Sequence, residues 1–220
     1  MTGTVDVFLD FDGTITIRHV TDAILEQFAD PAWLQFEDAW LSGRIGSREC
    51  LAAQMALVTA TPEQIDGLLD TIEIDAGLPT LIETCAKQGV PVRIVSDGFD
   101  YCINRILQRP DLHVVCSRLR PDGPRWRATF PHPANPCEHG CATCKPAAMA
   151  QFGRAGRLKV FVGDGLSDRY AAAAADVVFA KGKLAAYCKS AAISYAPYDT
   201  LATVADFVDR VHSREAFPAV

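Results

Sequence analysis

The chain has 220 residues, 49% hydrophobic and 22% charged, which is enough for one globular core carrying an inserted subdomain. Its net charge of -6 argues against general affinity for nucleic acid or acidic membranes. No apolar run is long enough to cross a bilayer, and Met1 to Asp6 lacks the basic stretch of an export signal, so a cytoplasmic chain with no membrane partner is expected.

Val5–Leu9 is a short apolar run ending in Asp10-Phe-Asp-Gly-Thr14, which predicts a buried strand and a tight turn. Helical spacing follows in Val20, Ile24 and Phe28, in Trp33, Phe36 and Trp40, and in Leu51, Met55 and Val58. Thr61-Pro62-Glu63-Gln64 carries the N-cap, N1 proline and N3 glutamine of a capping box. Residues 15 to 76 therefore read as a helical insert with its own apolar interior, set within a core of residues 1–14 and 77–220. In that core, Pro79–Gln88 predicts a helix stopped by Gly89, then a strand over Val90–Val95 ending in Ser96-Asp97-Gly98. Further helices are predicted at Phe99–Gln108, Asp168–Ala175, Leu184–Lys189 and Thr200–Val211. Further strands are predicted at Leu158–Val162 and Val177–Phe179. Alternating strands and helices give an α/β class, a doubly wound and mostly parallel sheet.

One stretch breaks the alternation. Val115–Leu119 and Trp126–Phe130 flank the turn sequence Pro121-Asp122-Gly123-Pro124, which predicts a β-hairpin. Alternation places Arg118, Arg120, Arg125 and Arg127 on one face, opposite Leu119, Trp126, Ala128 and Phe130. In an acidic chain those arginines read as a solvated outer face rather than as a nucleic-acid surface.

In open α/β sheets, ligands gather at the carboxyl ends of the strands. Three predicted strands end there in polar clusters: Asp10 to Thr14, Ser96-Asp97-Gly98, and Gly163-Asp164-Gly-Leu-Ser-Asp168. Asp10 and Asp12 are two apart on extended backbone and can face one site, and Asp164 adds a third carboxylate. Crowded carboxylates repel, and a hard cation held by oxygens relieves them; a partial oxygen cage with room for water and phosphate suits magnesium. Gly13 and Gly165 permit close backbone approach, and neighbouring N–H groups cradle an anion. Singly, Asp12 or Asp168 reads as an N-cap, Ser96 as a turn residue and Lys145 as a solvated lysine. Together and in order they read as one site for a phosphate.

Asp10-Phe-Asp-Gly-Thr-Ile-Thr, Ser96 after an apolar strand, Lys145 opening a helix, and Gly163-Asp-Gly-Leu-Ser-Asp resemble the four motifs of the haloacid-dehalogenase-like phosphatases, subfamily IB. The resemblance implies a Rossmann-like core with a C1-type helical cap and a set of roles. Asp10 is the nucleophile, and Asp12 the acid and base for leaving alcohol and water. Gly13, Thr14, Ser96, Asp97, Gly98 and Lys145 hold the phosphate. Asp10, Asp12 through its carbonyl, and Asp164 hold Mg²⁺, with Asp168 behind them. The acid at Asp12 favours phosphate chemistry over dehalogenation, since halide release has no use for it.

Cysteines 50, 85, 102, 116 and 188 lie in apolar segments, where a free thiol behaves as a small hydrophobe. Cys137, Cys141 and Cys144 cluster with His132 just before Lys145, and read equally as a Cys₃His zinc site and as loop thiols without metal. The run into Cys144-Lys145-Pro146, with Phe179-Ala-Lys-Gly-Lys-Leu-Ala-Ala-Tyr-Cys188, resembles phosphatases acting on a methylthio-pentenyl phosphate of methionine salvage and on phosphoethanolamine and phosphocholine. Phosphoserine phosphatases carry an amine-binding glutamate where this chain has His19. His19, Arg44 and Arg48 are candidate contacts for a small phosphorylated metabolite, each equally readable as a structural or solvated side chain. Rival readings are a phosphomutase, a phospho-accepting receiver and a non-catalytic metal-binding interaction protein.

Overall fold

The computed structural model describes residues 5–132 and 137–215. The expected ends of the core unit, at residues 1–4 and 216–220, and residues 133–136 of the cysteine-rich run lie outside the described residues. The strands are β1 (Val5–Leu9), β2 (Val92–Phe99), β3 (His113–Asp122), β4 (Arg125–Thr129), β5 (Leu158–Gly163), β6 (Val177–Ala180) and β7 (Ala196–Pro197). They form one sheet in the order β4-β3-β2-β1-β5-β6-β7, parallel throughout except for the β3–β4 hairpin. Central β1 pairs with both β2 and β5, setting Val7 opposite Val92 and Val160. That order brings the carboxyl ends of the three motif-bearing strands together at one edge.

Alternation along β1 decides the layers. Val5, Val7 and Leu9 point into one apolar cluster, shared with α5 (Leu78–Lys87), α6 (Asp100–Leu107) and α10 (Ala202–Glu215). Phe8 points into a second cluster, packed by α7 (Lys145–Phe152), α8 (Arg169–Ala174) and α9 (Gly182–Ser190). Fully buried side chains such as Phe8, Leu9 and Phe161 each contribute about 1.5–3 kcal/mol of burial. Both faces of the sheet are covered, so its strands are apolar on both sides.

The insert carries α1 (Val20–Phe28), α2 (Trp33–Leu41), α3 (Ser47–Ala56) and α4 (Pro62–Leu69). Its chain leaves and re-enters the core at adjacent points: Ile17 N–H donates to Glu73 O at 2.9 Å and Asp75 N–H to Ile15 O at 2.8 Å. The capping box forms at α4, with Thr61 and Gln64 bonded reciprocally. The expectation of a separate apolar interior is corrected. Ile24, Met55 and Ile65 belong to the same cluster as Leu9 and Trp126, because helices of eight to ten residues bury too little on their own. The α2 stripe of Trp33, Phe36 and Trp40 is only half-buried, with Trp33 packed against the edge of that cluster and no α2 residue fully buried.

The hairpin keeps the expected faces, with Leu119 and Trp126 buried and the four arginines exposed. Most of those arginines are engaged rather than free. Arg120 forks onto Asp100 at 2.8 and 2.7 Å, Arg127 pairs with Asp122, and Arg125 donates to Ala56 O at 2.7 Å. β2 runs on past Val95 to Phe99, and its register against β3 is irregular over Ser96-Asp97-Gly98. A break in pairing beside a site re-aims side chains there. Among the described residues, no helix is long and apolar enough to cross a membrane.

Candidate active site

The site is assembled at the ends of β1, β2 and β5 and at the first turn of α7. Asp10 directly follows β1, and its N–H donates to Val162 O of β5 at 2.9 Å. Its carboxylate is 4% exposed, with Oδ1 2.8 Å from Lys145 Nζ. Lys145 opens α7 and is equally buried, and it also hydrogen-bonds Asp168. Burial opposes its charge, but Asp10, Asp168 and Asp97 outweigh that effect and hold the ammonium protonated, above its ordinary range.

Asp164 directly follows β5 and Asp168 comes one turn later. The second oxygen of Asp168 accepts the N–H groups of Asp164 and Gly165, both at 3.1 Å, which fixes the loop bearing Asp164. Burial first, then Asp10, pushes the Asp168 pKa up, with Lys145 opposing. Asp10, Asp164 and Asp168 offer oxygens within 4.8 Å of one another; among the described residues no other His, Cys, Asp or Glu side chains form such a group of three. Three clustered carboxylates, two of them paired to Lys145, form an all-oxygen donor set with excess negative charge, which fits a hard divalent cation.

Asp12 differs from Asp10 in environment. Its Oδ1 accepts Val20 N–H at 2.7 Å. Desolvation first, and Asp10 second, push its pKa up to about 7. The carboxylate two residues after Asp10 thus holds its proton more firmly than an ordinary aspartate, as a general acid requires. Gly13 has φ +75, and a Cβ there would collide with Asp164 and His19. The Thr14 hydroxyl donates to Asp164 Oδ1 at 3.1 Å, and the Ser96 oxygen accepts Gly98 N–H at 3.0 Å. A Cβ on Gly98 would meet Asp12 Oδ2 at 2.7 Å, so the bare backbone lets the two loops close.

His19 lies at this centre, with Nε2 3.1 Å from Asp164 Oδ2. The hydrogen bond to Asp164 is the main cause that raises its pKa to about 9. Asp97 faces a different set of partners. Its oxygens accept the Ser47 hydroxyl of α3 at 2.6 Å and Thr143 N–H at 2.9 Å, so its carboxylate ties the insert to the loop before Lys145. Ser47 Oγ in turn accepts Ala142 N–H at 2.9 Å.

Arg44 and Arg48 do not line the cleft. Arg48 donates to Cys141 O at 3.2 and 3.0 Å, which spends its guanidinium on the loop. Arg44 bonds Ser42 Oγ at 2.9 Å and borders a separate depression with Phe36 and Glu49. Among the described residues, the thiols of Cys137, Cys141 and Cys144 approach one another but no histidine completes a four-ligand zinc set. Cys141 N–H donates to Cys137 Sγ at 3.4 Å, but His139 stacks on Tyr170 with ring centroids 3.7 Å apart. His132 is exposed and lies near His113 instead.

An open cleft rises from Asp10, Asp12 and Ser96 between sheet and insert. Its upper wall includes Asp22, Glu37, Trp40, Leu51 and Gln54, with Lys183 of α9 at the rim. Sequence reasoning missed these residues and Ser47. They face one cleft only after the helices fold over the sheet, and of them only Trp40 and Leu51 carried a signal, helical spacing that read as core. Tyr198 was also missed; its hydroxyl lies 3.4 Å from Thr14 Oγ1.

Residues 7–173 match the model of a family described as haloacid dehalogenase-like hydrolase. The chain is 32% identical over 217 residues to the 2-hydroxy-3-keto-5-methylthiopentenyl-1-phosphate phosphatase of Geobacillus kaustophilus (strain HTA426), covering 96% of this chain and 98% of that protein. The phosphatase of the same name from Geobacillus thermodenitrificans (strain NG80-2) is 30% identical, covering 93% and 96%. Among solved structures, a substrate-bound phosphoserine phosphatase complex superposes with a TM-score of 0.70 over 93% of this chain and 98% of that one, at 18% identity. An HAD family hydrolase from Salmonella enterica serovar Typhi gives 0.69, over 90% of this chain and 68% of that one, at 17% identity. At such identities the likeness is one of fold.

Proposed function

The chain belongs to the haloacid dehalogenase-like hydrolases and is a phosphatase, and we propose that it hydrolyses a small phosphomonoester in two displacements through Asp10. The observation that carries this reading is the pairing of unlike carboxylates: Asp10 against the Lys145 ammonium, and Asp12 with its proton affinity raised to about 7. In the first displacement an Asp10 oxygen attacks phosphorus and the P–O bond to the leaving alcohol breaks. Asp12 gives that oxygen its proton. In the second, Asp12 takes a proton from water, which attacks the aspartyl-phosphate and returns Asp10 to the carboxylate.

Asp10, Asp164 and the Asp12 carbonyl are the ligands proposed for Mg²⁺, with Asp168 holding the Asp164 loop. When bound, the ion neutralises charge on the transferring phosphoryl group. Lys145, Thr14, Ser96 and the backbone around Gly13 and Gly98 orient that group. Residues 15–76 act as a cap that closes the cleft and excludes water. The relatives' substrate, a methylthio-pentenyl phosphate, is the natural first choice here. Trp40, Leu51 and Cys50 offer an apolar wall for such a chain, and Gln54 and Glu37 offer polar partners. Among the described residues no four-ligand zinc set is found in the thiol loop, and free thiols fit a cytoplasmic setting.

Phosphate release from p-nitrophenyl phosphate tests the reading, with Mg²⁺ and with EDTA, for wild type and Asp10→Asn. Turnover that needs Mg²⁺ and falls by at least roughly 10³-fold in the variant is expected. Unchanged turnover in Asp10→Asn, or full turnover in EDTA, would contradict it.

A further inference from the structure

The wall above the phosphate site is unusually poor in cations for an enzyme that takes an anion. Asp22 and Glu37 both line it, and the Gln54 side chain, 1% exposed, donates to Glu37 Oε2 at 3.1 Å and fixes that carboxylate against α3. Facing them, His19 is tied to Asp164, and Arg44 and Arg48 are bonded elsewhere. The cations lining this cleft are thus the His19 imidazolium, already paired with Asp164, and exposed Lys183. A ligand at the floor is indicated independently. Ser96, 1% exposed, accepts Gly98 N–H but its hydroxyl proton has no acceptor among the described residues, and it lines the same cleft.

We propose that Glu37 and Asp22 determine specificity by charge: the cleft takes phosphoesters whose leaving alcohol is uncharged or carries an ammonium, and turns away those whose alcohol carries a carboxylate. The proposal rests on the reading of Asp10 as phosphoryl acceptor. With the phosphate seated at Asp10, an alcohol portion extending up the cleft runs along this wall. A carboxylate there would meet two like charges across a partly desolvated space, with one solvated lysine in return and a His19 already paired with Asp164. Rejection by an unpaired like charge is a way to discriminate among ligands that share the same phosphate. An uncharged polyol can use the same carboxylates as hydrogen-bond acceptors, and an ammonium can pair with them.

The test compares kcat/KM at pH 8 for three simple phosphoesters: glycerol 1-phosphate, phosphoethanolamine and phosphoglycolate. Wild type is expected to favour the first two over phosphoglycolate by at least about tenfold, the scale of one like-charge contact near a surface. Asp22→Asn/Glu37→Gln is expected to shrink that ratio by about tenfold, whereas Lys183→Gln, which removes the opposing cation, enlarges it. Opposite shifts from the two variants cannot arise from a general loss of folding. Wild type that hydrolyses phosphoglycolate as well as glycerol phosphate, or a ratio unmoved by either variant, would overturn the proposal. If wild type hydrolyses none of the three and p-nitrophenyl phosphate is also untouched, it is the Asp10 reading that falls.

Discussion

Lys145 shows how the site is held together at the scale of a residue. Its ammonium is 2% exposed and serves Asp10 and Asp168 at once. An unpaired charge in that position would be costly, so the three side chains depend on one another. Lys145→Met is expected to lower kcat by roughly 10²–10³-fold, the loss typical of one charge-stabilising group. It is also expected to cost about 3–5 kcal/mol by stranding two buried carboxylates. Steady-state turnover and urea unfolding read the two effects separately, and a stability loss with full turnover would leave Lys145 a structural partner only. The centre was legible in the sequence because it is built from short motifs at strand ends, and Asp10, Asp12, Ser96, Lys145 and Asp164 all meet there. Asp97, Arg44 and Arg48 were less legible. Their side chains are spent on Ser47, Ser42 and Cys141, partners far along the chain or chosen by loop geometry that no spacing reveals.

Among the elements, the hairpin has the most to do beyond its own strands. Trp126 is 2% exposed, donates from Nε1 to Ala60 O at 2.9 Å, and meets Tyr101 edge-on with ring centroids 5.0 Å apart. Thr59 bridges Arg125 across the same junction. The hairpin therefore braces the segment between α3 and α4. Trp126→Ala is expected to destabilise the fold by about 3–5 kcal/mol through the cavity it leaves and the stranded Ala60 carbonyl. Thermal or urea unfolding checks this, and a cost below about 1 kcal/mol would mean that the indole is not a brace. Turn chemistry and alternation made the hairpin readable, including which residues face inward. What it packs against was not readable, since the contact joins residues 66 positions apart. The helical insert shows the same division. Its apolar spacing and capping box announced the helices, but not that α2 stays half-exposed or that the interior is continuous with the sheet.

At the scale of the whole molecule, the strand order puts β1 between β2 and β5, and so converts three separate polar strand ends into one centre. The insert closes over that edge through Ser47 with Asp97 and through Arg48 with the Cys141 carbonyl, beside the helix that carries Lys145. The insert is thereby tied to the loop that leads into the lysine. The central claim is that the phosphoryl group passes through Asp10. The most direct measurement is acid quenching of the working enzyme during turnover of a phosphomonoester, followed by mass spectrometry of its peptides. The account predicts a phosphoryl group on the peptide carrying Asp10 in the wild type, and none in Asp10→Asn. Turnover with the phosphoryl group on another residue, or a fully active Asp10→Asn, would contradict it.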